Sequence, residues 1–471
     1  MNRSLSLLVW AALAVLTAAC EGIPTTPFQI TVNGVSYTAD GAVCDTIDLV
    51  TLSTEFEATV QVSSYALFSR LSINGIPLRH GKASVPVERI AKDAFLTVEW
   101  SMLGESGTLF LRTLHSQVPE TVSTGTATAP GDFYLSFVYL RLIEKYDNEG
   151  RLLYYRYEPH AISGSDDNTG WWDFQKHVGD DGKVYYSYHA LDPKYESWVF
   201  AGHNPGVRIL LDEHYNPIAE IRLEAARHVR KDFPPDGHDF YFFNPHHYIL
   251  LSYLDREVDG ETLHAAYIQE VRRGRVVFDW WSTDHPELTG WQDPIFAQAA
   301  GADYVHINSV DVLPDGHLLC SFRHLSSVVK IDRKSGEILW TVNGWKPGQD
   351  FDFHGQHYAR WHADDSSLTL FNNGNGTGTT TLLQLNVDLQ NGAVSGSRKL
   401  MDDGYYSRAC GALTFSDGHI IAGWGIPGNA DPSNRLVTEA DAAGNVIFSL
   451  HWKDPASPLN SILASYRCVK H

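Results

Sequence analysis

Among the chain's 22 histidines, three stand apart by position. His238 lies six residues before the Asn244-Pro245 turn, His306 eight before Pro314-Asp315-Gly316, and His357 seven before Asp364. Each therefore falls on a strand entering a turn, and such strands bring side chains together when they surround one channel. Imidazoles that meet this way can serve as nucleophile, general acid or general base near neutral pH, where both protonation states are accessible. In His306-Ile307-Asn308 the period of two places His306 and Asn308 on one face. The same alternation along residues 318–323 groups Ser321 with Arg323, opposite Leu318, Cys320 and Phe322, and turns His324 the other way. An arginine ending an apolar strand needs a carboxylate or a bound anion, because an unpaired buried guanidinium is costly. Both readings of Arg323 stay open. Arg408 occupies the comparable stretch of the next repeat, and it and Arg360 are further candidates for an anion pocket. Asp239 either orients His238 or caps a turn.

The elements that must hold these residues recur along the chain. Six outer hairpins, strand–turn–strand units ending in an apolar run, are centred on Gly150, Asn216, Gly274, Gly336, Gly392 and Gly444. Five inner turns, each followed by a strand, alternate with them: DDGKVYYSY, NPHHYILLSY, PDGHLLCSF, DDSSLTLF and SDGHIIAGW. Ordered alternation of two hairpin types without helical periodicity predicts a β-propeller. The first outer hairpin lacks a preceding inner turn, and residues 455–471 can supply the missing strand, closing a ring of six blades over 133–471. Upstream, Asn33-Gly34 and Asn74-Gly75 lie between alternating apolar runs and signal two-residue hairpins. Residues 28–115 read as a small N-terminal β-sandwich. Residues 116–132, rich in Thr, Ser, Pro and Gly, read as a linker. The predicted class is all-β.

Arg3 and the apolar run 5–16, too short to cross a bilayer, predict a signal peptide over 1–19. Thr17-Ala18-Ala19-Cys20 resembles a bacterial lipobox, with Thr17 where Leu is usual. Cys20 would then carry the lipid, with 20–27 as tether; plain cleavage after Ala19 is the simpler alternative. Glu21 is not the Asp that retains such proteins at the inner membrane, so a periplasm-facing outer-membrane lipoprotein is expected. Cys44, Cys320, Cys410 and Cys468 form no C-x-x-C pair, which argues against a zinc ribbon. With 56 acidic against 36 basic residues and a net charge of −20, nucleic acid and anionic membrane surfaces are excluded as partners.

The stretch DYVHINSVDVLPDGHLLCSFRHLSSVVKIDRKSGEILWTVNG (303–344) resembles the arylsulfate sulfotransferases, bacterial enzymes that need no nucleotide sulfate (PAPS) donor. FDWWSTDHPEL, GHDFYFFNPHHYILLSY, FHGQHYARW…LTLFNNG and YYSRACGALTFSDGHIIAGWG follow the family pattern, over about residues 133–452. Asn343-Gly344 stands where the family usually has Gly-Gly, and Asn372-Asn373-Gly374 where it has Asp-Asn-Gly. The resemblance implies a six-bladed propeller with a small N-terminal β-domain. It also implies transfer of a sulfuryl group from a phenolic sulfate ester to a phenol through a sulfurylated histidine. On that basis His357 of the Gln356-His357 motif is the nucleophile, and His306, His238 and Arg323 complete the catalytic set. Asn308, Gln356 and Arg408 are assigned to substrate. Which of His238 and His306 moves the proton stays open. No cofactor or metal is implied, and a homodimer is left open.

Two alternatives remain at this stage. His238, His306 and His357 could form a three-histidine metal site, although a neighbouring guanidinium opposes a divalent cation. A non-catalytic propeller lipoprotein, acting as scaffold or binding module, is the other, because fold does not fix function. A sulfatase would need a C-x-P-x-R-like site, and Cys320-Ser321-Phe322-Arg323 lacks the proline and the spacing.

Overall fold

The computed structural model describes residues 28–39, 44–54, 58–63, 70–79, 82–85, 87, 90–102, 105–160, 169–192, 194–195, 202–296, 302–416, 418–428, 435–453 and 464–471. The expected signal peptide, Cys20 and the tether lie outside them. The chain divides into two compact units, Met1–Ser116 and Gln117–His471. The protein is all-β and made of many small sheets; its helical turns include the 3-10 segments Ser282–Asp284 and Pro286–Gly290.

In the first unit, Phe28–Val32 pairs with Val35–Ala39 and Ala58–Ser63, and the latter pairs with Lys82–Val85. A second sheet joins Cys44–Asp48, Glu105–Arg112, Phe95–Met102, Arg70–Ile73 and Ile76–Pro77. Asn33 and Gly34 sit at φ of 49° and 84°, and Asn74 and Gly75 at 47° and 78°. Two successive positive-φ residues form the hairpin turn whose twist matches its strands, so both expected hairpins are present. Ile30, Val32, Ile73, Val98, Leu109 and Leu111 are fully buried.

Among its described residues the second unit contains six larger antiparallel sheets, five of them meanders in chain order, and a two-stranded one, Ser407–Ala409 with Ile426–Pro427. Their first strands are Trp172–Val178, Phe240–Asn244, Ile307–Val312, His357–His362 and Ala412–Ser416, with the sixth sheet opened by the pair Ser465–Lys470 and Phe133–Phe137. Neighbouring first strands touch in succession and the last meets Ser465–Lys470. Each expected outer-hairpin centre is the turn between two paired strands. The five inner turns likewise join paired strands.

The chain ends interlock. The C-terminal strand Ser465–Lys470 pairs with Phe133–Phe137, while Thr121–Gly125 pairs with Val446–Trp452 on the outer edge of the last sheet. The expected linker 116–132 is therefore corrected: its central residues are an edge strand. Val122, Thr121 and Thr124 can extend a sheet as well as any β-branched run, and an unpaired outer edge offered them a ladder. Apolar clusters fill the gaps between sheets. Ile249, Leu251, Trp280, Leu318, Cys320 and Phe322 pack in one such gap, and Leu319, Trp340, Leu368 and Leu385 in the next. Cys320, Cys410 and Cys468 are buried and unbridged.

Candidate active site

The three singled-out histidines sit at the entrances of consecutive first strands. His238 precedes Phe240–Asn244, His306 immediately precedes Ile307–Val312, and His357 opens His357–His362. Each of these strands carries a register shift, and His306 and Tyr358 both have φ of 53°. Left-handed backbone at non-glycine residues costs about 1–3 kcal/mol and persists only where the surroundings impose it. The shifts beside His306 and His357 are bulges of the kind that re-aim a side chain. Gly202, at φ of 91°, has no side chain, and a Cβ there would lie 3.0 Å from His306 Cε1.

One pattern unites the three rings: each has Nδ1 occupied by an acceptor. His238 Nδ1 lies 2.5 Å from Asp236 Oδ1, and His306 Nδ1 lies 2.5 Å from Asp303 Oδ2. His357 Nδ1 lies 2.7 Å from Asn373 Oδ1 and 3.2 Å from the Gly355 carbonyl. The Asn373 amide is itself oriented, because its Nδ2 donates to the carbonyls of Ser407 at 2.8 Å and Cys410 at 3.0 Å. Acceptors on Nδ1 place the proton there and leave the Nε2 lone pair for chemistry. The Cys410 N–H points at His357 Nε2 from 3.3 Å.

The rings of His238 and His306 are 4.9 Å apart and nearly perpendicular. His203 and His324 join them, with ring centres 5.2 and 4.6 Å from His306. His203 Nε2 shares the Asp303 carboxylate oxygen at 2.9 Å, and His324 Nδ1 donates to the Asp303 carbonyl at 2.6 Å. Alternation had turned His324 away; the strand ends at Phe322, and the tight turn after it brings His324 back. Burial pulls the pKa of His306 well below the ordinary imidazole value, against the charge of Asp303. His203 moves the other way: burial lowers it, but the charge and hydrogen bond of Asp303 outweigh that and raise it. Asp303 is held well below the usual carboxylate range despite its burial, by those two imidazoles. For His357, burial and the neighbouring Arg323 pull the pKa well down, opposed by the Asn373 hydrogen bond. It is a neutral imidazole at physiological pH.

Arg323 lies against this group with its guanidinium 4.8 Å from the Phe296 ring centre. Burial lowers its pKa, and Asp303, Cys410 and tyrosines oppose the shift from a distance. Among the described residues no carboxylate forms an ion pair with it. A guanidinium placed so is able to receive an anion.

Several expected assignments change. Asn308 and Gln356 are fully buried. Asn308 Nδ2 donates to the Gln356 carbonyl at 2.7 Å, and Gln356 Nε2 reaches Ser321 Oγ and the carbonyls of Phe322 and Ser327 at 3.0, 3.2 and 3.0 Å. These bonds brace two neighbouring strands. Arg408 is exposed, its carbonyl accepting from Asn375. Arg360 is spent on Asp239, at 2.9 and 3.0 Å, and Asp239 does not hold His238; Asp236 does. The group among the described residues able to offer three ligand atoms to a metal is His203, Asp303 and His306, which shares only His306 with the three-histidine set. Here the carboxylate oxygen is already hydrogen-bonded to both rings.

Asp236, Asp303, Asn373 and His203 were not singled out from the sequence. The spacings Asp236-x-His238 and Asp303-x-x-His306 could have flagged two of them. Nothing local marks Asn373 or His203. A surface hollow of about 570 Å3, lined by Trp291, Trp345, Lys346 and Phe351, shares no residue with this centre.

Fold and site define an all-β protein of small sheets with a histidine–arginine centre suited to a small anion. Residues 263–453 match the family model described as arylsulfotransferase (ASST), the family that the motifs of this stretch resemble. The match spans His306, Arg323, His357 and Asn373; His238, Asp236 and His203 lie before it. Curated protein sequences give no significant match. Similar solved structures include a protein of unknown function from Bacteroides caccae, 10% identical, with TM-score 0.43 over 72% of this chain and 98% of that one. BamB from Moraxella catarrhalis is 12% identical, with TM-score 0.32 over 85% and 100%. Kuenenia stuttgartiensis hydrazine synthase is 11% identical, with TM-score 0.37 over 74% and 92%.

Proposed function

We propose that the protein is a PAPS-independent arylsulfotransferase, moving a sulfuryl group from a phenolic sulfate ester to a phenol through a sulfohistidine at His357. The observation that carries this is the contrast in Nδ1 partners: a neutral amide behind His357, carboxylates behind His238 and His306. A carboxylate stabilises imidazolium and suits a proton carrier. An amide fixes the tautomer and stabilises positive charge less than a carboxylate does, so N-sulfurylated His357 stays reactive.

In the first half-reaction, the Nε2 lone pair of His357 attacks sulfur and the S–O bond to the aryl group breaks. Charge on the peripheral oxygens is met by Arg323, which needs no proton bookkeeping. His306 enters neutral, which leaves His238, with Asp236 behind it, to protonate the departing phenolate. In the second half-reaction the acceptor phenol gives its proton to His238, its oxygen attacks sulfur, and the N–S bond breaks. His357 recovers its lone pair. The fold that supports this reading is a six-bladed propeller closed by Ser465–Lys470, preceded by a small β-sandwich. The Thr17-Ala18-Ala19-Cys20 sequence supports attachment of that assembly to the outer membrane by a lipid on Cys20.

The test is p-nitrophenyl sulfate with and without phenol, in wild type and His357→Ala. Phenol-dependent nitrophenol release, lost in the variant, and an SO3 adduct on the His357 peptide are expected. Release needing only water would make it a sulfatase, and absence of turnover by folded protein would overturn the reading.

A further inference from the structure

The charge of Asp303 reaches Arg323. Yet among the described residues Arg323 forms no ion pair, and Asp303 Oδ1, although buried, accepts no hydrogen bond. The other oxygen of Asp303 is taken by His203 and His306. A guanidinium and a buried carboxylate oxygen gain from pairing, so the structure must hold these two apart.

Phe296 stands where it can do this. Its buried ring is centred 4.8 Å from the Arg323 guanidinium and 5.1 Å from the His324 ring. A Cβ on Gly355 would lie 2.9 Å from Phe296 Cζ, so the tip of the ring rests on the backbone that leads into Gln356-His357. The Phe296 segment and the turn after Arg323 share one frame. Asp293 Oδ2 accepts from Ser326 Oγ at 2.6 Å and lies 2.6 Å from His354 Nδ1. The Phe296 N–H donates to the Asp293 carbonyl at 2.9 Å, and the Ser326 N–H to the Arg323 carbonyl at 3.1 Å.

An aromatic face suits this task where a carboxylate would not. It attracts the cation through its quadrupole, leaves the charge intact and covers one side of the guanidinium plane. A carboxylate would occupy the N–H fork and cancel the charge that a sulfate group needs.

We propose that Phe296 is a positioning residue for sulfuryl transfer, pinning the Arg323 guanidinium away from Asp303 and keeping its N–H fork for the sulfate group. Its role in turnover rests on the transfer reading above, but anion binding is measurable without turnover.

The experiment is calorimetric titration of inorganic sulfate into the full-length protein at constant ionic strength. Phe296→Leu keeps apolar bulk and loses the π face, and should weaken saturable sulfate binding by about tenfold. Replacing Phe296 by 3,5-difluorophenylalanine keeps the ring and weakens its quadrupole, and should cost about twofold to threefold. Asp303→Asn should raise sulfate affinity more in the Phe296→Leu background than in wild type, because it removes the competing carboxylate. In kcat/KM for p-nitrophenyl sulfate, Phe296→Leu should cost about tenfold with Arg323 present and under about twofold beside Arg323→Met. Thermal melting of each variant confirms that it is folded. No sulfate binding by wild type, an unchanged affinity in Phe296→Leu, or losses in kcat/KM that simply multiply with those of Arg323→Met would overturn the proposal. Aryl sulfate turnover by a protein whose sulfate affinity ignores Phe296 would sink the positioning role and leave the transfer reading standing. Sulfate titrations as described in a protein without turnover would do the reverse.

Discussion

Two buried groups of arginine and its neighbours occupy the second unit, and they treat positive charge in opposite ways. In one, Arg360, Arg467 and Arg208 are shared between two aspartates. Arg467 Nη1 lies 2.5 Å from Asp173 and 3.1 Å from Asp239, Arg208 Nη2 lies 2.9 Å from Asp173, and Arg360 takes both Asp239 oxygens. Asp239 also accepts the Val310 and Phe240 amides. With Val310 and Phe240 these residues come from five different sheets, so the network ties the sheets together. In the other group, Arg323 has aromatic and imidazole neighbours and no carboxylate ion pair among the described residues. A structural arginine arrives with its counter-charge; one placed to bind an anion leaves that position for a ligand. The lesson is that burial of an arginine says little until its partner is known.

The largest expected effect comes from disturbing the paired group. Asp239→Asn leaves Arg360 and Arg467 short of charge, and removing one partner of a buried pair costs about 3–5 kcal/mol. Urea unfolding measures it. A loss under about 1 kcal/mol would mean that the network is as solvent-screened as a surface pair and would erase the contrast.

Next in size is Arg323→Met. Losing one preorganised donor at developing charge should lower kcat/KM for aryl sulfate by about 10²–10³-fold. Unfolding free energy should stay unchanged or rise, because an uncompensated guanidinium leaves the interior. A stability loss comparable to that of Asp239→Asn would reassign Arg323 to the structural class.

A smaller effect sharpens the comparison among the histidines. Asn373→Asp would place a carboxylate behind His357, as Asp236 and Asp303 stand behind the other two. An adjacent opposite charge raises an imidazole pKa by about 1–3 units. The acid limb of the kcat/KM–pH profile should move up accordingly, and the sulfohistidine should live longer in a quench experiment. An unmoved limb would show that the partner of Nδ1 does not set the behaviour of His357.

Much of the architecture was legible because turn chemistry is local. Asn33-Gly34, Asn74-Gly75 and the six outer turns announce themselves within a few residues, and the spacing between them orders the strands. The positions of His238, His306 and His357 followed from that repeat. What did not follow depends on contacts between strands. Asn373 meets His357 from the end of the adjacent strand, 16 residues on, and His203 meets Asp303 across 100 residues. Arg360 looked like a pocket residue because its aspartate lies 121 residues away. Thr121–Gly125 looked like a linker because its partner strand is near the other end of the chain. Alternation failed for His324 because it assumes that the strand continues, and this one stops at Phe322.

The smallest effect concerns acid stability and separates the buried neutral histidines from the one that is paired. Burial holds His189 down to about 3, with Arg208 adding to the shift, and His324 down to about 4, with Arg323 adding. Both lie below the ordinary value of 6.5. The unfolded chain therefore binds protons that the folded chain refuses, and stability falls as pH drops below that ordinary value. The loss continues down to about 4 for His324 and about 3 for His189, each contributing up to about 1.4 kcal/mol per pH unit. His203 has the opposite sign. Its folded pKa is raised by Asp303, so its contribution is present in acid and fades as pH rises through the raised value. His189→Gln should therefore flatten the fall of unfolding free energy between about pH 6 and pH 4, whereas His203→Gln should leave that fall unchanged and instead remove a loss of stability that sets in above the ordinary value of 6.5. Equal slopes for the two variants would show that burial alone, and not the partner carboxylate, governs both.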